Sequence, residues 1–214
     1  MKVFIVGHFS LDYQKMFLNR GWETVQSMLG ADLVQFIGGA DVSPSFYNQH
    51  AHTKTYNDIN RDRYEILIFH AALRNKIPMA GICRGGQFLN VMCGGKMWQH
   101  VNKHTQEHLA YCLLNHKKIK VTSTHHQMMI PINNQKTYKL LLVAFLHGFK
   151  EKYTNINQKV KKMRFMGIEK DVEALFYPVN RCLCFQPHPE FEGKKELVEL
   201  YFKYINHFLI KKEK

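Results

Sequence analysis

Residues 77–99, IPMAGICRGGQFLNVMCGGKMWQ, leave this chain little freedom in how it can fold. Ile77, Met79, Ala80 and Ile82 make a short apolar run, which suits a strand buried in a parallel sheet. Cys83 follows at once, then Arg84-Gly85-Gly86. Beyond them Phe88, Leu89, Val91 and Met92 recur at helical spacing. A strand that ends in a nucleophile and turns sharply into a helix is a nucleophile elbow. Gly81 and Gly85 flank the turn where a side chain would clash with the tightest backbone. The turn holds the sulfur out of the sheet at a helix N-terminus, whose dipole favours the nucleophilic thiolate. Taken alone, the segment also fits a buried, inert cysteine before an ordinary helix.

A length of 214 residues fits one domain, or one domain with a lid. No apolar run approaches the ~18 residues of a membrane span. The start, MKVFIVGHFSLDYQ, has no small-residue cleavage site and reads as a first strand. Five cysteines, an odd number without repeated spacing, predict free thiols in a reducing compartment and hence a cytoplasmic location. Cys182 and Cys184 alternate and should share one strand face; packing is the expected role for them, Cys93 and Cys112. Thirty basic against 17 acidic residues give +13, which favours anionic partners. No nucleic-acid-binding motif accompanies the charge, so nucleic acid is not the expected partner.

Along the chain, Lys2–Gly7 and Asp32–Ile37 read as buried strands and Trp22–Leu29 as a helix ending at Gly30. The second strand runs into Gly38-Gly39-Ala40-Asp41-Val42, whose freed backbone N–H groups could hold an oxyanion. Ser43–Asn60 reads as an exposed loop over that place. Arg61–Lys76 is predicted helical, with Tyr64, Leu67, Ile68, Ala71 and Ala72 as its apolar stripe. His100, His104 and His108 have i, i+4, i+8 spacing but lack a carboxylate–histidine zinc pattern. They are expected as solvated or loop histidines, with no metal site. Lys117–Ser123 and Leu140–Phe145 read as strands, with Thr124-His125-His126-Gln127 a polar turn. His147–Lys170 carries Lys150, Lys152, Lys159, Lys161, Lys162, Arg164 and Lys170 and reads as a basic loop or hairpin, with a lid as one use for it. Val172–Tyr177 and Arg181–Gln186 are further strands. Glu196–Ile210 is an amphipathic helix with Leu197, Leu200, Tyr201, Tyr204, Ile205 and Phe208 inward.

Three pieces combine. Cys83 sits on the elbow, His188 follows a late strand, and Glu190 lies two residues on; Pro187 and Pro189 stiffen the segment that carries them. A thiol nucleophile needs a base to move its proton, and the base needs a carboxylate to fix its tautomer.

With these residues the chain resembles the class I glutamine amidotransferase superfamily, and within it the γ-glutamyl hydrolase-like branch. The segments that carry the likeness are GGADVSPSFY (38–47), RDRYE (61–65), PMAGICRGGQFLNVMCGG (78–95), STHHQ (123–127), VEALFY (172–177) and FQPHPE (185–190). They occur in the family's order across nearly the whole chain. The resemblance implies an α/β fold with an open, mostly parallel central sheet and helices on both faces. It also implies one domain over 1–214 with a basic insertion at about 147–170. It makes Cys83, His188 and Glu190 a triad, puts the backbone N–H groups of Gly39 and Arg84 in the oxyanion hole, and sets Gln87, His125, His126 and Gln127 near the glutamyl amino and carboxylate groups. The implied reaction is hydrolysis of a γ-glutamyl amide, in glutamine or a γ-glutamyl amine or peptide, through a thioester and without cofactor. Two alternatives stand beside it: a glutaminase subunit feeding ammonia to a separate synthase or ligase, and a non-catalytic binding protein on the same scaffold. The compact Lys118–Ser123 region and the long, basic His147–Lys170 stretch depart from the family pattern where the leaving group would be selected.

Overall fold

The structure, a computed structural model, describes residues 1–7, 11–101, 106–144 and 171–210, and the backbone alone of Lys152–Asn155 and Gln158–Lys159. The first third comprises β1 (Lys2–Val6), α1 (Leu11–Leu18), β2 (Glu23–Val25), β3 (Leu33–Phe36), α2 (Ile59–Arg74), β4 (Met79–Ile82) and α3 (Arg84–Met92). Short strands follow: β5 (Lys96–Trp98), β6 (His100–Val101), β7 (His108–Cys112), β8 (Lys117–Val121), β9 (Met128–Ile130) and β10 (Lys139–Ala144). Then come β11 (Lys152–Asn155), β12 (Gln158–Lys159), β13 (Asp171–Tyr177), β14 (Cys182–Phe185) and α4 (Lys195–Tyr204).

The central sheet has the order β2-β1-β3-β4-β14-β13-β10-β7-β8. From β2 to β14 neighbouring strands are parallel; from β14 to β8 they are antiparallel. The sheet expected as mostly parallel is parallel from β2 to β14 and mixed as a whole. The short turns 113–116 and 178–181 can join only antiparallel neighbours, whereas parallel strands need a crossover. Side chains alternate between two cores. Ala80, Ile82, Leu183 and Phe185 face α1 and α4, while Met79, Cys182 and Cys184 face α2 and α3. Cys182 and Cys184 thus share a face, as expected. β3, β4 and β14 are adjacent and parallel, so their C-terminal ends meet at one sheet edge, the usual ligand position in α/β sheets.

Three predicted elements differ. Trp22–Leu29 is not a helix. The helix lies earlier, at Leu11–Leu18, and Glu23–Val25 pairs with β1. Trp22 is buried because Phe17 and Phe202 pack on it, with ring centroids 5.4 and 6.4 Å away, and not because a helix face is apolar. In α2 the buried face is Asp62, Glu65, Phe69 and Ala72; Tyr64 and Leu67 are 51% and 68% exposed. Two carboxylates turn inward there because a buried cation awaits them. His100 and His108 lie in β-strands, and Nε2 of His108 pairs with Glu173 Oε1 at 2.9 Å, so His108 is neither solvated nor in a loop. His104 lies outside the described residues.

The strands β1, β3, β4, β8, β10, β13 and β14 and the helices α2, α3 and α4 fall within a few residues of the sequence reading, whereas β5, β7 and β9 have no counterpart in it. Ser43–Asn60 is exposed only after a buried 3₁₀ turn at Pro44–Tyr47. Asp58 caps α2 by accepting from the Asn60 and Arg61 N–H groups. The terminal helix leaves α-geometry after Tyr204 and continues as a π-turn, Ile205–Leu209. Of the basic stretch 147–170, β11 and β12 form an antiparallel pair beside β6; the rest lies outside the described residues. No described helix is long and apolar enough to cross a membrane.

Candidate active site

Cys83 joins β4 to α3 with φ 51° and ψ −114°, a positive φ that a side chain rarely adopts. Such backbone strain costs on the order of 1–3 kcal/mol and persists only where the surroundings enforce it. Here its N–H donates to the Phe185 carbonyl at 2.8 Å, and its carbonyl accepts the Gln87 N–H at 3.0 Å. The flanking glycines are steric necessities. A Cβ on Gly81 would lie 2.3 Å from the Gly85 carbonyl oxygen, and one on Gly85 would lie 2.4 Å from that of Phe36. The remaining cysteines are built differently. Burial pushes the Cys182 and Cys184 thiols well up, and Cys112 Sγ lies 3.1 Å from the Tyr204 hydroxyl.

His188 follows β14, the strand beside β4. Its N–H donates to Thr122 Oγ1 at 2.6 Å, its ring stacks on Phe191 at 4.5 Å, and its Nδ1 lies 2.6 Å from Glu190 Oε1. Burial alone would push this imidazole down. Hydrogen bonding to Cys83 and Glu190, together with their charges, outweighs that and raises it to about 10. Nε2 is buried and makes no aligned hydrogen bond, so the interaction with the sulfur has loose geometry. The structure therefore gathers the three residues that the sequence pattern paired.

Gly38 lies against them. A Cβ there would be 3.3 Å from His188 Cε1 and 3.7 Å from Cys83 Cβ. The Gly38 N–H donates to the Tyr13 hydroxyl at 3.1 Å. Burial first, then the Glu190 charge, pushes the Tyr13 phenol well above its ordinary range, so it stays neutral and can donate to Glu190. Tyr13 carries no motif in the sequence; only the packing of α1 brings it here.

Arg84 supplies a backbone N–H in the first turn of α3, where helix donors have no helical partner. Its side chain points elsewhere. It is fully buried and paired with Asp62 and Glu65 of α2. Burial first and then the Arg61 charge lower its pKa to about 10, with Asp62 opposing. Gln87 Nε2 donates to Gln186 Oε1 at 3.1 Å and to the Gln127 carbonyl at 3.3 Å. His125 Nδ1 lies 2.7 Å from the same carbonyl, and His126 Nε2 lies 3.2 Å from Asp41 Oδ2. The Asp41 hydrogen bond, the largest influence on His126, raises its pKa. A cavity of about 210 Å³ is lined by Gly39, Asp41, Tyr56, Cys83, Gln87 and the 124–127 turn. A larger groove, about 650 Å³, opens between α1 and residues 189–195 but does not reach Cys83. Of the predicted residues, Gly39, Cys83, Gln87, His125, His126 and Gln127 line the smaller cavity, Arg84 follows Cys83 with its side chain turned away, and His188 is bonded to Glu190, which lines the larger groove. Asp41, Arg61, Asp62, Glu65, Thr122 and Gln186 join them.

The family model for Peptidase C26 matches residues 19–190. The chain belongs to the Peptidase C26 family. This is a class I glutamine amidotransferase-like family, and the match takes in Cys83, His188 and Glu190 but not Tyr13. A glutamine amidotransferase-like protein, YvdE, of Lactococcus lactis is 39% identical over 77 residues, 36% of this chain and 33% of that protein. The chain thus spans about a third of that relative's length. The carbamoyl phosphate synthase small chain of Pasteurella multocida is 24% identical over 67% of this chain and 32% of its own. Among solved structures, a glutamine amidotransferase from Thermotoga maritima aligns with a TM-score of 0.60 at 14% identity, over 98% of this chain and 88% of that one, which shows the Peptidase C26 member to share its fold.

Proposed function

We propose that this protein hydrolyses a γ-glutamyl C–N bond through a thioester on Cys83. One observation carries the reading: a cysteine on a positive-φ elbow interacts with an imidazole whose other nitrogen is held 2.6 Å from a buried carboxylate. An imidazole raised to about 10 is protonated at neutral pH and stands ready as the acid of the reaction, beside a sulfur whose attacking form is the thiolate. The Cys83 sulfur attacks the γ-carbonyl carbon, and the resulting oxyanion takes the N–H groups of Gly39 and Arg84. Loss of one such donor costs about 100- to 1000-fold in rate. As the C–N bond breaks, His188 protonates the departing nitrogen. The neutral imidazole then takes a proton from water, which attacks the thioester; collapse breaks the C–S bond, releases glutamate, frees the Cys83 sulfur and leaves His188 protonated. Glu190 holds the ring throughout. Gln87, His125, His126 and Gln127 hold the glutamyl amino and carboxylate groups. The reading takes residues 1–214 as one amidotransferase-like unit with a basic insertion at about 147–170. The five free cysteines support a reducing, cytoplasmic setting.

The likeness to a carbamoyl phosphate synthase small chain favours one second reading, a glutaminase subunit that hands ammonia to a separate synthase. Both readings share Cys83 and differ in the leaving group. Glutamate release from glutamine and from a panel of γ-glutamyl amines and peptides separates them. Hydrolysis of several conjugates, abolished by Cys83→Ala, supports the hydrolase. Turnover of glutamine alone supports the subunit. No release from any substrate, with a glutamine-mimicking diazo-ketone labelling the five cysteines evenly, would leave a binding protein.

A further inference from the structure

The proposed oxyanion donors come from two separate elements, the loop after β3 and the first turn of α3, yet they are tied to one carboxylate. The Gly38–Gly39 peptide is trans and planar, so its C=O and the Gly39 N–H point in opposite directions. Whatever holds the carbonyl therefore aims the N–H. Arg61 Nη1 donates to the Gly38 carbonyl at 3.0 Å, and Nη2 donates to that of Ile37 at 3.0 Å. The guanidinium sits so close that a Cβ on Gly39, whose φ is +132°, would lie 2.3 Å from Nη1. Arg61 Nε donates to Glu65 Oε1 at 2.8 Å, and the other Glu65 oxygen accepts from Arg84, whose backbone N–H is the second donor. Asp62 takes Arg84 through one oxygen and the Ser43 N–H through the other at 2.9 Å, which fixes the far end of the same loop. Asp62, Glu65 and Arg84 have almost no exposed surface.

We infer that Arg61 is a positioning residue for the oxyanion hole, and that Glu65 sets both of its halves by binding Arg61 and Arg84 at once. The inference rests on the thioester reading above. A lysine at 61 can keep the charge beside Glu65, but it lacks the planar fork that spans two carbonyls and a carboxylate.

The test compares wild type with Arg61→Lys and Arg61→Ala. Three quantities are read: turnover of the best γ-glutamyl substrate, binding of an aldehyde analogue of the γ-glutamyl group, and alkylation of Cys83 by iodoacetamide. The aldehyde forms a hemithioacetal whose oxygen needs the same two donors; the alkylation develops no oxyanion. In both variants kcat should fall by about 100-fold, the scale of one lost donor, with KM little changed. Aldehyde affinity should fall in parallel, the alkylation rate should hold, and free guanidinium should restore part of the Ala variant's kcat. If alkylation fell as far as turnover, Arg61 would be supporting the fold and not the donors, and the inference would be wrong. Undiminished kcat in Arg61→Lys would overturn it too, while leaving the thioester reading intact. A wild type that neither turns over nor binds the aldehyde would overturn the thioester reading, and this inference with it.

Discussion

His188 is where most of the proposed chemistry can be tested by titration. Its imidazole is raised to about 10, above the ordinary value near 6.5. A raised cation adds stability that is fully present below its unfolded pKa and is lost as pH climbs through the folded one, so the window runs from about 6.5 to about 10. Activity should show an alkaline limb in that upper region, where the acid that protonates the leaving nitrogen is gone. Glu190→Gln removes one of the two partners that raise the ring. The limb of kcat/KM should therefore move to lower pH, with some activity retained, since an orienting carboxylate is worth less than the base it orients. A pH–rate profile of the two proteins checks this; coincident alkaline limbs would mean that Glu190 does not act on His188.

Among the elements, α2 shows how far the sequence could be read. The elbow was legible because its glycines are demanded by local backbone clashes, and local demands leave local signatures. The helix α2 was legible as a helix, but not for its face. Periodicity sends charges outward, and here Asp62 and Glu65 turn in to meet Arg84, a partner 19 to 22 positions away. Trp22 misled for a similar reason, since its burial comes from contacts with Phe202. Tyr13 was invisible because nothing near it in sequence says what α1 packs against. The corrected face makes a quantitative prediction. Phe69 is 2% exposed and sits in the core, so Phe69→Ala should cost about 3–5 kcal/mol in urea unfolding. Leu67→Ala, at an exposed position, should change stability by no more than about 0.5 kcal/mol. The reverse order would restore the original stripe.

At the scale of the whole molecule the charge is +13, and the sequence between Lys150 and Lys170 is rich in lysine; of that stretch β11, Lys152–Asn155, pairs with β6. If the substrate is an acidic γ-glutamyl peptide, this charge raises its encounter rate, through solvent, over a Debye length of about 8 Å at physiological salt. Its kcat/KM should then fall steeply with added salt, while that of glutamine barely moves. Lys159, Lys161 and Lys162 changed together to Gln should act in the same selective way. Equal salt sensitivity for both substrates would reduce the charge to a solubility device. The mixed sheet was only half legible at this scale, because strand direction depends on connections and not on strand composition.

The buried trio Asp62, Glu65 and Arg84 also bears on how such a protein can be altered by inheritance. Removing one member of a buried ion pair leaves its partner charged in a dry interior, at about 3–5 kcal/mol, whereas replacing the set together with apolar residues can be nearly neutral. Single substitutions at these three positions are therefore steep drops, and the alternatives that fold lie several simultaneous changes away. A lineage that keeps the nucleophile's neighbour as arginine is thereby held to both acids of α2. The chemistry of the elbow is locked to the sequence of a helix that adds no residue to the lining of the Cys83 cavity.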